Sequence, residues 1–111
     1  MLVRDYKLAA DVRAWELEGA KEVRERRWRE ALKRARDSLP AETRQSNLKS
    51  APWKVAVAAH LKLNTDASNG WLAIQLEMGS PFYVSKHVGI LRRNGRNIET
   101  SRLLRLLEGK R

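Results

Sequence analysis

Apolar residues recur along the first forty positions with the spacing of one helix face. They are Leu8, Val12, Trp15, Ala20, Val23, Trp28, Leu32, Ala35 and Leu39, with a slip in the spacing around Gly19. From about Arg4 to Ser38 there is no proline, and the many Glu, Arg, Lys and Ala residues favour a helix that Pro40 ends. The pattern predicts one long helix, or two helices that meet near Gly19. Residues 1–40 would then form a charged helical arm.

A polar segment separates this arm from the rest of the chain. Residues 40–50 lack hydrophobic periodicity and include Pro, Ser, Thr and Asn, which indicates a linker. The next segment, Trp53 to Leu63, is ambiguous, because its apolar residues both alternate, as in a strand, and share a face, as in a helix. We predict a helix, since Ser50 can cap it, Pro52 is tolerated in its first turn and the alanines favour it.

Three shorter helices are predicted to follow. Their approximate bounds are Ala67–Glu77, Pro81–Arg93 after a cap at Ser80, and Glu99–Glu108. Asn64, Thr65 and Asp66 offer N-caps for the first of them, and Gly79 can end it with a positive φ. The predicted fold class is therefore all-α, with a long N-terminal helix followed by a small helical domain over residues 41–111.

Two of these helices have the arrangement of a helix-turn-helix. They are joined by the tight turn Met78-Gly79-Ser80, and the second helix of such a motif enters the major groove of DNA. In that second helix Val84, Val88 and Leu91 recur at i, i+4 and i+7, so we predict that they are buried. The opposite side then faces outward. It contains Phe82, Lys86, Gly89 and Arg93, flanked by Tyr83, Ile90, Ser85 and Arg92.

The charge balance points to a polyanionic partner. The chain carries 23 Lys and Arg against 13 Asp and Glu, a formal net charge of +10, and nucleic acid is the leading partner for such an excess. Residues 41–111 hold 12 of the basic and 5 of the acidic side chains, and no carboxylate occurs between Glu77 and Glu99. Basic residues that only keep a helical protein soluble are the alternative that charge alone leaves open.

Residue chemistry assigns roles along the second helix of the motif. Lys and Arg can donate to guanine, hydroxyls serve bases or phosphates, and an aromatic ring can contact a thymine methyl. The candidates for base contacts are Tyr83, Ser85, Lys86 and His87. The candidates for phosphate contacts are Arg92, Arg93 and Arg96, together with the backbone amides near Ser80. Tyr83 as a core residue and His87 as an ordinary flanking residue stay open, because neither lies squarely opposite the buried stripe.

Catalytic and metal-binding chemistry has little support in the sequence. The chain has no Cys, which excludes disulfides and thiolate zinc sites. His60 and His87 are far apart in sequence and no acidic pair accompanies them. They therefore have neither metal-ligand spacing nor the partner that an acid–base dyad needs. We interpret His60 as a boundary residue without a suitable neighbour, and the four tryptophans as core anchors. We expect no enzymatic activity, cofactor or metal.

One stretch of the second part resembles a known bacterial family. Its segments are KVAVAAHL from Lys54, WLA from Trp71, LEMGS from Leu76 and YVS from Tyr83. They are similar to the C-terminal region of bacterial REP-associated, HUH-type transposase-like proteins, over roughly residues 16–90. The resemblance implies a helix-turn-helix that binds DNA. Those transposases place a His-hydrophobic-His metal motif and a catalytic Tyr in a separate upstream domain. No such motif occurs here, and Tyr6 has no partnering histidines, so the resemblance implies no nuclease activity.

These observations predict sequence-specific binding of double-stranded DNA, by a recruiting or regulatory module from a transposon-related context. A protein-interaction adaptor that uses the long helix, and an RNA-binding accessory protein, are the other classes left open. The apolar stripe of the long helix exceeds what four short helices can cover, so we also expect a homodimer or a larger protein partner there. Residues 1–20 are charged throughout and no apolar run approaches the roughly 18 residues of a membrane span. We therefore expect a cytoplasmic protein, associated with the bacterial nucleoid.

Overall fold

The long N-terminal helix predicted above is a single helix. The computed structural model describes residues 2–94 and 98–109, and the side chains of residues 19–93 and 98–109. Helix α1 runs over Leu2–Ser38 without a break at Gly19, since a glycine inside a helix costs only about 1 kcal/mol relative to alanine. A short 3-10 helix, Ala41–Arg44, follows.

Four shorter helices complete the described chain. They are α2, Pro52–Asn64; α3, Asn69–Gln75; α4, Pro81–Asn94; and α5, Ile98–Leu107. Every regular element in the described ranges is helical, so the all-α prediction is confirmed.

Helix α2 forms the centre of the core. It contacts α1, α4 and α5, and every residue from Trp53 to Ala59 is buried. A helix that is apolar on all sides is a buried helix, which explains why this segment fits the period of a strand as well as that of a helix. The choice of a helix here is confirmed.

Two of the predicted N-caps are wrong. Helix α2 begins after Ala51, which makes no side-chain capping bond, so Ser50 does not cap it. Helix α3 is capped by Ser68, whose Oγ accepts the backbone amide of Trp71 at 3.1 Å. Residues 64–66 precede this cap and do not supply it.

Among the described side chains of helix α1, those that join the core lie toward its C-terminal end. Leu32, Ala35 and Leu39 are buried, whereas Val23 is 46% exposed. The molecule measures 65 × 24 × 23 Å and has a radius of gyration of 18.1 Å, against about 13 Å for a compact domain of this length. One core thus includes residues on both sides of position 40. Within the described ranges no helix is both long and apolar enough to cross a membrane.

Candidate nucleic-acid interface

Helices α3 and α4 pack against each other across a tight turn. Leu72 and Ala73 of α3 are buried, as is Leu76 directly after it. The stripe predicted for α4 is buried as well and consists of Val84, Val88 and Leu91. Because three positions at i, i+4 and i+7 fix the rotation of a helix, they also determine which side of α4 faces outward.

The beginning of α4 is formed as its sequence predicts. The Ser80 Oγ accepts the backbone amide of Tyr83 at 3.1 Å, and Pro81 occupies the first helical position, where its missing N–H has no consequence. Gly79 has a φ of +94°, which residues with a Cβ rarely adopt. Ser80 therefore lies at the N-terminal end of α4, where the helix dipole favours an anion.

The end of α3 differs from the prediction. Glu77, rather than Gly79, is the first residue with a left-handed conformation, at a φ of 53°. The amide of Met78 donates to the Ala73 carbonyl at 2.9 Å and the amide of Glu77 to the Ile74 carbonyl at 3.3 Å, which is the Schellman pattern of helix ends. A residue with a side chain in this conformation costs roughly 1–2 kcal/mol, so contacts elsewhere must hold it.

Lys54 of α2 makes one of the contacts that hold Glu77 in this conformation. Its Nζ donates to the Glu77 carbonyl at 3.4 Å, to the Asn47 carbonyl at 3.2 Å and to the Asn47 Oδ1 at 3.0 Å. The side chain is only 1% exposed, and burial lowers the pKa of Lys54 below its ordinary value. The ammonium group thus ties the turn of the helix-turn-helix to the segment before α2.

The outward side of α4 is basic and accessible. Ser85, Lys86, Arg92 and Arg93 are exposed. The guanidinium group of Arg93 lies across Gly89, with Nη1 3.5 Å from the place where a Cβ on that glycine would stand. Since the sequence has no carboxylate between Glu77 and Glu99, this side of α4 presents cations without acidic neighbours on its own helix.

Tyr83 and His87 form a pair on the flank of α4. Their ring centroids are 4.3 Å apart and the planes are tilted by 48°. Tyr83 is half-buried, and His87 is buried with only 9% of its surface exposed. The expectation that His87 reads bases does not fit this position, because its ring packs against Tyr83 and is largely buried. A helical wheel does not reveal the burial of His87, because it does not show how much of the flank of α4 the neighbouring helices cover.

Two exposed side chains near the N-terminal end of α4 were not among the predicted DNA contacts. Phe82 is 76% exposed in the first turn, although the wheel had already placed it on the outward side. Lys49 lies over the turn, with its Nζ 3.5 Å from where a Cβ on Gly79 would stand. No sequence signal identified Lys49, because the contact joins residues thirty positions apart. Arg96 lies outside the described residues.

Helix α1 is attached to the helix-turn-helix by an aromatic contact. Trp28 and Trp71 meet edge to face with ring centroids 5.4 Å apart, and the Trp28 indole N–H donates to Asp66 Oδ1 at 2.8 Å. This hydrogen bond, with a smaller effect from the charges of Arg24 and Arg27, lowers the pKa of Asp66 below its ordinary value. Trp53 is buried in the core, and the Trp15 side chain lies outside the described ones.

His60 has a partner that the sequence did not indicate. Its Nδ1 contacts Glu108 Oε2 after α5, and Asn64 Nδ2 donates to the same carboxylate oxygen at 2.9 Å. The interpretation of His60 as lacking a suitable neighbour is therefore wrong, because the fold brings the C-terminal ends of α2 and α5 together. Among the described residues no group of three or more His, Asp or Glu side chains is placed to hold a metal ion.

Comparisons of the chain with protein-family models, with curated proteins and with solved structures found no match.

Proposed function

We propose that this protein binds double-stranded DNA through the helix-turn-helix formed by α3 and α4, with α4 in the major groove. The observation that carries the proposal is the two-sided character of α4. Val84, Val88 and Leu91 are buried on one side, and the opposite side exposes Lys86 and Arg93. A major groove admits one α-helix whose outward side chains reach base edges and phosphates.

The exposed side chains divide into two roles by their position along α4. Phe82, Ser85 and Lys86 lie in the N-terminal half, the part of a recognition helix that contacts base edges. Lys86 would donate to guanine, Ser85 to a base or phosphate, and the Phe82 ring would contact a thymine methyl. Arg92 and Arg93 lie near the C-terminal end and would contact phosphates.

Two further features support a close approach of DNA to this side. Gly89 has no side chain, and the long Arg93 side chain that covers it can move aside. Lys49, over the turn before α4, adds a cation next to the helix N-terminus at Ser80, where backbone amides favour a phosphate. Tyr83 would contribute through its exposed edge, while His87 would support it from within.

The biological setting that we propose is a transposon-related recruiting or regulatory module associated with the bacterial nucleoid. It rests on the resemblance of residues 54–85 to the C-terminal region of REP-associated transposase-like proteins. Its chemistry would be binding only, because the chain lacks the His-hydrophobic-His motif of those enzymes. A sequence preference would come from contacts of α4 with base edges.

Binding measured against salt concentration tests this proposal. With Lys49, Arg92 and Arg93 on phosphates, log K for duplex DNA should fall against log salt with a slope of about −2.7 or steeper, at roughly 0.9 per contact. A selection from random duplexes should then enrich one sequence. Preferential binding of structured RNA would favour an RNA-binding accessory protein instead, and no binding to either nucleic acid would favour an adaptor.

A further inference from the structure

A basic groove lies on the side of α3 that contacts α1. It has a volume of about 350 Å³ and continues into a second depression of similar volume toward α2. Arg36, Arg44 and Gln75 line both depressions. We call the two depressions together the Arg36–Arg44 groove.

The groove holds more cations than carboxylates: its carboxylates are Asp37 and Glu77, and its cations are Arg29, Lys33, Arg36, Arg44 and Lys54. Its α1 side contributes Arg29, Lys33 and Asp37, and Lys33 Nζ forms an ion pair with Asp37 Oδ2 at 2.9 Å. Within the described ranges no carboxylate pairs with Arg29, Arg36 or Arg44. The Lys33 hydrogen bond and charge lower the pKa of Asp37, and the charges of Arg44 and Arg36 lower it further, as expected in a region of positive potential.

One of the two arginines at the middle of the groove, Arg36, is held by an aromatic ring without any ligand. The Arg36 guanidinium lies 5.5 Å from the ring centroid of Trp53, a cation–π contact. Trp53 is itself fixed, because it is buried and its indole N–H donates to the Ser46 carbonyl at 2.7 Å. Arginine side chains fixed in this way bind oxyanions with less loss of conformational entropy.

Arg44 supplies the observation that points to a ligand. Its Nε is buried and has no hydrogen-bond acceptor among the described residues. A buried donor without an acceptor is rare in folded proteins and destabilising. A small movement of the Arg44 side chain would present this N–H to an oxyanion in the groove, and a guanidinium group binds the oxygens of a phosphate in pairs.

We propose that the Arg36–Arg44 groove binds a phosphate group, with Arg36 and Arg44 as its ligands and Gln75 as a further donor. The phosphate can come from the DNA backbone or from a free phosphate compound. A DNA source rests on the proposed function and is favoured by position. Gln75 ends α3 of the helix-turn-helix, and the segment that contains Ser46 and Asn47 in the groove wall leads directly to Lys49 over the turn.

Titration of the full chain with inorganic phosphate tests the groove without DNA. The Nε–H of Arg44 and the indole N–H of Trp53 are followed by NMR, with chloride at the same ionic strength as the reference. Both signals should shift with saturation in phosphate. In R36Q and R44Q the affinity read from Trp53 should fall by roughly tenfold or more, as expected when a hydrogen bond to a charged group is removed.

The matched control is R26Q, which removes one exposed arginine from the same helix outside the groove. It should bind phosphate as the unmodified chain does. Equal shifts in chloride and phosphate, or an undiminished response of Trp53 in folded R44Q, would overturn the proposal. Circular dichroism of each variant checks that it is folded.

A second titration, with duplex DNA, identifies the source of the phosphate. If the backbone supplies it, the R36Q/R44Q double variant should bind the duplex more weakly, and its log–log salt slope should be shallower by about 0.9 for each phosphate that it no longer neutralises. A phosphate response with an unchanged DNA slope would support the groove and exclude DNA as its source. If the chain binds no duplex at all, the proposed function fails while the phosphate titration still decides the groove.

Discussion

Helices α1 and α4 use their basic residues in opposite ways. In α1 the cations alternate with carboxylates, as in Glu22, Arg26 and Glu30, and among its described side chains those that reach the core lie in the C-terminal turns. In α4 the cations have no acidic neighbours on the helix, and a complete apolar stripe is buried beneath them. The net charge of the chain therefore says less about its partner than the arrangement of charges on each helix.

This difference separates two kinds of surface. The outward side of α4 is determined by its buried stripe, and it offers hydrogen-bond donors to a polyanion. In α1 the described side chains before Trp28 are exposed, apart from the half-buried Glu25, so the apolar stripe has no cover from the same chain there. An uncovered apolar stripe favours association with protein, whereas the partner that we propose for the α4 surface is nucleic acid.

The largest expected effect is the loss of the helix-turn-helix itself. Leu76→Ala should destabilise the protein by roughly 2–5 kcal/mol, because it leaves a cavity between the packed helices. Val88→Asp should prevent folding of this region, since it buries an unpaired charge. Thermal or urea unfolding followed by circular dichroism measures both.

The matched control for Leu76→Ala is Ile74→Ala, two positions away on α3. Ile74 is 76% exposed whereas Leu76 is 2% exposed, so this substitution should change stability by no more than about 0.5 kcal/mol. Near-normal stability of Leu76→Ala would mean that α3 and α4 do not pack as described.

The second prediction concerns association through α1. We propose that the uncovered portion of its stripe pairs with a second copy of the chain, since a helix of 37 residues extends about 55 Å at 1.5 Å per residue. Light scattering should give twice the monomer mass for the full chain. Val23→Glu should shift it toward the monomer, because Val23 is an exposed apolar residue of the stripe.

Lys21→Gln, which makes the same change in net charge at an exposed position, should leave the dimer intact. A chain that begins at Arg24 should be a folded monomer. A chain that begins at Ala41 is not a suitable monomer control, because it lacks the core residues Leu32, Ala35 and Leu39. A full chain that is monomeric at high concentration would contradict this proposal.

A smaller effect on stability is expected when one glycine in each of the two helices is replaced by alanine. Gly89→Ala in α4 and Gly19→Ala in α1 should each stabilise the protein by up to about 1 kcal/mol, since alanine favours a helix. Neither Cβ would meet backbone: at Gly89 it would contact the movable end of Arg93 at 3.5 Å, and at Gly19 nothing lies within 4 Å.

Their effects on DNA binding should differ. Gly89→Ala adds a methyl group to the proposed contact side, in van der Waals contact with Arg93, so duplex affinity should fall several-fold in a fluorescence anisotropy titration. Gly19→Ala should leave the affinity unchanged. An equal affinity for both variants would count against close approach of DNA at Gly89.

The smallest effect is expected in acid. The pKa of Asp66 in the folded protein is lowered from its ordinary value of 3.8, so its hydrogen bond with Trp28 stabilises the protein above about pH 4 and is lost as the pH falls through the folded-state pKa. The stability difference between the unmodified chain and Trp28→Phe, which lacks the indole donor, should therefore begin to shrink below about pH 5 and continue to shrink as the pH falls through the lowered pKa of Asp66. A constant difference would show that the bond does not depend on the carboxylate.

The features predicted correctly from the sequence are those set by neighbouring residues. The α4 stripe and the cap at Ser80 depend on spacings of one to seven positions, so helical periodicity suffices to find them. The caps predicted for α3 failed because Thr65 and Asp66 have other partners, the first local and the second tertiary, whereas α2 begins after Ala51, one residue past Ser50. Asp66 accepts the indole of Trp28, and the Thr65 Oγ1 donates to the Leu61 carbonyl at 2.6 Å.

The surroundings of the candidate interface could not be predicted in this way. Lys54 joins Asn47 to Glu77, and Lys49 covers Gly79, across separations that leave no periodic signal. The segment over residues 40–50 reads as a polar linker for the same reason. The Arg36–Arg44 groove beside this segment forms because α1 and α3 come together there.

The central claim is that the outward side of α4 binds DNA, and charge reversal on that side tests it most directly. Lys86→Glu/Arg93→Glu should weaken duplex binding by roughly a hundredfold or more at moderate salt, since a side chain that touches DNA contributes about 1–3 kcal/mol, and should retain the normal helical circular dichroism. Arg102→Glu/Arg105→Glu makes the same change in net charge at two exposed positions of α5 and should retain most of the affinity. Normal duplex binding by the folded Lys86→Glu/Arg93→Glu protein, or an equal reduction in both variants, would contradict the account.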